Sequence, residues 1–187
     1  MRLFLCIFAV FLMPQLALTA PVSVIDLDGQ KRTPLIAAND RPSVLVFITH
    51  DCPVANKFAP EIRRIAKDFA GRVQFTVVYA DPEMTATDRA THRKDYSYGK
   101  LTCVHDRTHR LVAATGVEVT PEAVLTNVQG KVVYRGRINN FYEDFGKARR
   151  VITQHDLRAA ITALLANRPV PAPRGKAIGC YIPKLKK

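Results

Sequence analysis

Tryptophan is absent from this 187-residue chain, and glycine is scarce at 9 residues. With apolar residues at 48% and charged residues at 24%, collagen-like, low-complexity and wholly disordered chains are excluded. Outside residues 3–13 there is no long unbroken apolar run, which argues against a protein with several membrane spans. Acids are also few: 16 Asp and Glu stand against 28 Lys and Arg, for a formal charge of +12. A nucleic-acid reader would gather such charge on one element among aromatics. Here it is scattered over Arg63-Arg64, Arg135-x-Arg137, Lys147 to Arg150 and Lys184 to Lys187, so no nucleic-acid partner is expected. Solvated faces account for these groups, with an anionic envelope surface as the alternative.

What is present begins at the N-terminus. Met1-Arg2, an apolar stretch from Leu3 to Met13, Pro14 and the small Thr19-Ala20 make the pattern of a secretory signal cleaved near Ala20. A retained anchor is the alternative, and stable membrane insertion is not expected of the rest. Cleavage removes Arg2 and Cys6, lowers +12 to +11, and leaves Cys52, Cys103 and Cys180 in the periplasm or outside the cell. In an oxidising compartment three thiols cannot all pair internally, so at least one is free, intermolecular or chemically active. The expected organisation is a signal over 1–20, one domain over 21–167, and a Pro-rich tail over 168–187 carrying Cys180.

Hydrophobic periodicity predicts a β/α alternation. Val22 to Leu27, a turn at Asp28-Gly29 and Lys31 to Leu35 read as extended pieces. Val44 to Ile48 is a continuous β-rich run suited to a strand buried on both faces. Phe58, Ile62, Ile65, Ala66 and Phe69 lie on one face of a helix over 54–70, stopped by Gly71. Val73 to Tyr79 is a second strand, Thr85 to Ser97 a polar surface helix, Leu101 to Val104 a short strand and His109 to Thr115 a short helix before Gly116. Ala123 to Asn127 and Lys131 to Arg135 form a hairpin around Gln129-Gly130. Thr153 and Asp156 resemble a capping box opening a last helix with Leu157, Ile161, Leu164 and Leu165 on its apolar face.

The chemistry concentrates in Thr49-His50-Asp51-Cys52-Pro53, where the buried strand hands over to the helix. Pro53 suits a first helical turn, which sets Cys52 at a helix N-terminus with unpaired N–H groups aimed at its sulfur. Such placement favours the thiolate, the form that attacks disulfides and peroxides. His50, when protonated, assists; Asp51 opposes. The strand, the helix-start Cys52 and Pro60 eight residues on resemble the thioredoxin fold, and Thr120-Pro121 before the hairpin resembles that superfamily's cis-Pro loop. The added β-α material between them is similar to exported redoxin and AhpC/TSA proteins. The resemblance implies an α/β fold with a central mixed β-sheet flanked by helices. It also implies a cis Pro121 beside Cys52, with the Thr120 backbone offering strand-like hydrogen bonds to substrate.

Two departures qualify the likeness. The thioredoxin pair needs Cys-x-x-Cys, but Ala55 holds the fourth position. Thr49-x-x-Cys52 matches the threonine with which peroxiredoxins orient peroxide, whereas Leu45 stands where that family has a proline, and no thiolate-supporting arginine is assigned. Cys180, in Gly179-Cys180-Tyr181-Ile182, resembles the C-terminal Gly-Cys element of bacterial redoxin-domain proteins and is the expected resolving thiol. The reading is an exported thiol oxidoreductase with Cys52 as nucleophile, acting on a protein disulfide or dithiol or on a peroxide, regenerated by an external thiol, with no bound cofactor. A non-catalytic binding module stapled by a Cys52–Cys180 disulfide is the rival, and copper delivery, decided by Cu(I) titration with and without Cys52, the third, with Cys103, His105 and His109 as conceivable copper or zinc ligands. Cys103 is otherwise expected buried and inert, and Arg135, Arg137, Glu61 and Glu122 to be ordinary surface charges.

Overall fold

The computed structural model describes residues 21–37 and 39–186. The expected signal peptide lies outside them. Two short antiparallel strands, β1 (Val24–Ile25) and β2 (Lys31–Arg32), open the chain. The sheet then builds from β3 (Ser43–Ile48), helix α1 (Pro53–Asp68) and β4 (Gln74–Tyr79), followed by α2 (Ala86–Asp95) and β5 (Thr102–His105). After α3 (Arg110–Thr115), the short β6 (Val119–Thr120) leads into the hairpin β7 (Glu122–Thr126) and β8 (Val132–Gly136). A small hairpin, β9 (Tyr142–Asp144) with β10 (Lys147–Ala148), helix α4 (Asp156–Leu165) and β11 (Cys180–Tyr181) complete the chain.

The central sheet runs β5-β4-β3-β7-β8, with β5, β4 and β3 parallel and β7 and β8 antiparallel to their neighbours. This is the mixed sheet flanked by helices that the sequence resemblance implied. All six residues of β3 are buried, as a central strand with both faces covered requires. Its alternation feeds two cores. Val44, Val46 and Ile48 pack with Phe58, Ile62 and Ile65 of α1 and Leu157 and Ile161 of α4. Leu45 and Phe47, on the opposite face, pack with Val78, Val104, Leu111, Val117 and Val124. The period-2 pleat thus sandwiches the sheet between α1 and α4 on one side and α3 on the other.

Three local readings change. The capping box sits at α2, where Thr85 Oγ1 accepts from Asp88 N and Asp88 reaches back to Thr85 N, and not at Thr153. Helix α4 starts from His155 without a side-chain cap, because Asp156 is taken by Arg137 at 2.9 Å and by the backbone N–H of Arg174 at 2.9 Å. Thr153 instead exchanges hydrogen bonds with the Asn140 amide. The tail also ends in a strand: β11 pairs antiparallel with β6, Cys180 opposite Thr120 and Tyr181 opposite Val119. Residues 60 apart in sequence are thereby brought together at the C-terminal end of β3.

Candidate active site

Strand β3 ends at Ile48, and four residues later the chain enters α1 with Cys52 as the N-cap residue and Pro53 in the first turn. The fixed φ of proline and its missing N–H fit that position. Pro60 lies inside the helix. The Cys52 sulfur, buried with its residue 1% exposed, accepts a hydrogen bond from Ala55 N at 3.4 Å and lies 3.2 Å from the Thr120 carbonyl oxygen. An N–H aimed at sulfur from a helix start stabilises negative charge there.

The other four expected residues surround it. The Thr120-Pro121 peptide bond is cis. Thr49 and Thr120 join their hydroxyls at 3.2 Å, and Thr120 Oγ1 also reaches the Cys180 carbonyl at 3.4 Å. The Cys180 sulfur stands 2.6 Å from that of Cys52, so a bond of about 2.0 Å forms with little movement. Cys180 is only half-buried, yet its thiol is pushed up to about 12 by desolvation, by its hydrogen bond to Cys52 and by the charge of Cys52 and Asp51.

Several of these contacts carry no local sequence signal. Gly179 passes so close to β6 that a Cβ there would lie 1.9 Å from the Thr120 carbonyl oxygen, which only glycine avoids. Beneath the Cys52 turn, Tyr79 Oη lies 3.1 Å from His92 Nδ1, His92 Nε2 lies 2.9 Å from Asn56 Oδ1, and Asn56 Nδ2 donates to the His50 carbonyl at 2.9 Å. One tautomer, with the proton on Nε2, satisfies all three bonds. Burial holds His92 down at about 4, with His50 adding to the effect, so the ring is neutral and the chain of donors stays intact at pH 7.

The charged residues divide. Arg137 is not an exposed strand end: its side chain is 14% exposed and pairs with the buried Asp156. Glu122, next to Pro121, is also buried, which raises its carboxyl above the usual range against the opposing pull of the Glu118 N–H and Arg135. Glu61 is mostly covered and pairs with Arg64 and Arg158. Cys103 is fully buried and its thiol is pushed up to about 12 by desolvation. His105 Nε2 faces the Asp81 carbonyl and His109 Nε2 the Ala80 carbonyl, so Cys103, His105 and His109 do not converge on one point. Among the described residues no three ligand-type side chains gather into a metal site.

The sheet order, the helix-start cysteine and the Thr-Pro loop beside it define a thioredoxin-like protein. The profile of the AhpC/TSA family matches residues 13–135, about two thirds of the chain, and the chain belongs to that family. No curated protein matches it. Among solved structures it is similar to an uncharacterized conserved protein from Geobacillus kaustophilus, with 24% identity, 90% of each chain covered and a TM-score of 0.75. A hypothetical protein from Sinorhizobium meliloti is similar at 24% identity over 87% of this chain and 90% of that one, TM-score 0.73. A secreted Mycobacterium tuberculosis disulfide oxidoreductase homologous to Escherichia coli DsbE shares 18% identity over 76% of this chain and 95% of its own, TM-score 0.55. These likenesses are likenesses of fold. No helix among the described residues is long and apolar enough to cross a membrane.

Proposed function

We propose that this protein is an exported thiol–disulfide oxidoreductase in which Cys52 is the nucleophile and Cys180 the resolving thiol. The observation that carries the reading is the 2.6 Å approach of two sulfurs that lie 128 residues apart in sequence, one on a helix N-terminus and one on a strand at the end of a Pro-rich arm. The Cys52 thiolate attacks a sulfur of a partner disulfide; a mixed disulfide forms and the partner's other sulfur leaves as thiolate. Cys180 then gives up its proton and attacks the Cys52 sulfur. The Cys52–Cys180 disulfide forms, the partner leaves with its second thiol, and two electrons have passed to it. An external thiol reductant restores the pair. Thr120 and Pro121 would flank the incoming partner, and Thr49 would hold the Thr120 hydroxyl in place.

Disulfide exchange is favoured over peroxide reduction by two observations. The Thr49 hydroxyl is engaged with Thr120, and none of the hydrogen bonds to the Cys52 sulfur among the described residues comes from an arginine. Export is supported by the Leu3 to Met13 apolar stretch ending at Thr19-Ala20, with the mature chain over 21–187. Cys52→Ser and Cys180→Ser should each abolish turnover with a disulfide substrate, with the Cys180→Ser chain accumulating the mixed disulfide on Cys52. A glutathione redox series is the deciding measurement. A Cys52–Cys180 bond that resists every physiological poise makes it a structural staple and ends the enzymatic reading.

A further inference from the structure

The segment 179–182 lies against β6 in the manner of a bound peptide. Cys180 pairs with Thr120 and Tyr181 with Val119, the Ile182 N–H donates to the Glu118 carbonyl at 3.0 Å, and Thr120 Oγ1 reaches the Cys180 carbonyl. The four positions are held to different degrees. At Gly179 a Cβ would meet three rigid backbone atoms, the Thr120 oxygen at 1.9 Å, the Thr120 carbonyl carbon at 2.6 Å and Pro121 N at 3.1 Å. Cys180 delivers its sulfur to Cys52. Tyr181 is 81% exposed and turned to solvent, while Ile182 packs against the core cluster of Leu45, Phe47 and Val117. The backbone pairing supplies adhesion and the alternate side chains supply selection, as in strand addition to a sheet edge.

We propose that the edge of β6 covered by β11 selects partner proteins presenting an extended Gly-Cys-x-apolar segment, and that the chain's own tail is its resident occupant. The proposal rests on the thiol-exchange reading and names the substrate class for it. A partner segment takes the place of 179–182, its cysteine sulfur is attacked by the Cys52 thiolate, and the leaving group departs from that sulfur as a thiolate. Return of the tail then expels the partner as Cys180 attacks. Selection is sharpest at the position before the cysteine, because the backbone of Thr120 and Pro121 cannot yield to a methyl group there. It is absent at the position after, where the side chain points outward.

The test uses the full-length chain carrying Cys180→Ser and Gly179→Ala, which keeps Cys52, blocks resolution and lifts the tail from the edge. Three synthetic peptides, Ala-Gly-Cys-Tyr-Ile, Ala-Ala-Cys-Tyr-Ile and Ala-Gly-Cys-Ser-Ile, each carry the cysteine as a mixed disulfide with thionitrobenzoate. Cys52 attacks the peptide sulfur, the peptide–Cys52 disulfide forms and coloured thionitrobenzoate leaves. Both Gly-Cys peptides should react roughly tenfold or more faster than the Ala-Cys peptide, the scale of one forced methyl contact, and should match each other within about twofold. Should the double variant not fold, the Cys180→Ser chain alone gives the same order at lower rates because its tail competes. Equal rates for all three peptides, with Cys52 modified in each case, overturn the docking proposal and leave the thiol reading standing. Failure of every peptide to modify Cys52 overturns the thiol reading and the docking proposal with it.

Discussion

Cys52 and Cys103 are equally sealed from solvent, at 1% and 0% exposure, and they sit in regions built on different plans. Around Cys103 the chain is local: β5 follows α2 directly, and the sulfur faces the carbonyls of Tyr98 and Leu101, its own neighbours, at 3.9 and 3.5 Å. Desolvation keeps the thiol protonated, outweighing Arg93, which pulls it down by its charge and a hydrogen bond with Asp28 and Asp26 opposing. Around Cys52 the contacts are assembled from far apart in sequence, from Thr120 and from Cys180, and the helix start aims an N–H at the sulfur. Both thiols are buried; what sets Cys52 apart is its place at a helix mouth beside a second sulfur.

The largest expected effect separates these two thiols directly. Cys103→Ala should leave the rate of disulfide exchange within about twofold of the parent, while Cys52→Ser lowers it by about a thousandfold or more, measured as reduction of a model protein disulfide with the same external thiol. Iodoacetamide mapping of the reduced chain at pH 7 should mark Cys52 first. Cys180 is the more exposed of the site pair, yet it holds its proton with a thiol pushed up to about 12, and should follow more slowly. A Cys103→Ala chain as slow as Cys52→Ser would erase the distinction between the regions.

The same contrast explains what could be read from the sequence. Strand β3, helix α1, strand β4 and the β7–β8 hairpin announce themselves through periodicity within a few residues, and so did the buried Cys103. Thr49, Cys52, Thr120, Pro121 and Cys180 were legible through motif and resemblance, and the fold brings all five together. What was hidden is pairing over distance. Strand β11 is two residues long, too short for any periodic signal, and exists only because β6 is there to receive it. Thr85-x-x-Asp88 and Thr153-x-x-Asp156 are the same pattern, and only the first becomes a capping box, since Arg137 and the Arg174 N–H claim Asp156. His92 looks like one polar residue of a surface helix. Its burial and its link to Asn56 follow from how α2 packs on α1, which no spacing within α2 reveals.

Asp156 tests how far the site region depends on its remote anchors. Its carboxylate ties Arg137, on the strand side, to the backbone of Arg174, partway along the arm that carries Cys180. Asp156→Ala leaves a largely buried guanidinium with Gln154 but without a carboxylate, and releases the arm. A loss of about 3 kcal/mol in unfolding free energy is expected, with slower closure of the Cys52–Cys180 disulfide and unchanged alkylation of Cys103 in the native state. Stability lost without any slowing of closure would mean that the arm is held by β11 alone.

His92 stands between the two regions, its ring against Tyr79, Tyr96 and Tyr98 and its Nε2 on Asn56 under the Cys52 turn. Burial depresses it from 6.5 to about 4, so between those values the unfolded chain binds a proton that the folded chain refuses. The stability present above pH 6.5 is lost as pH falls toward 4, by about 2 kcal/mol from this residue. Denaturant midpoints at pH 7 and pH 4.5 should therefore move closer together in His92→Gln than in the parent. An identical shift in both chains would assign the acid loss to the carboxylates instead.

The smallest effect should fall on the Cys103 side alone. Thr85→Ala removes the hydroxyl that accepts from Asp88 N and donates to the Asp88 carboxylate at 2.6 Å, leaving the first turn of α2 to water. The expected cost is about 1 kcal/mol. Because α2 carries His92 near its far end, fraying confined to the first turn should leave the His92 to Asn56 bond and the closing rate of Cys52 and Cys180 unchanged. A slower closure in Thr85→Ala would show that α2 moves as one rigid body beneath the site. The local and the assembled regions would then answer to the same perturbation.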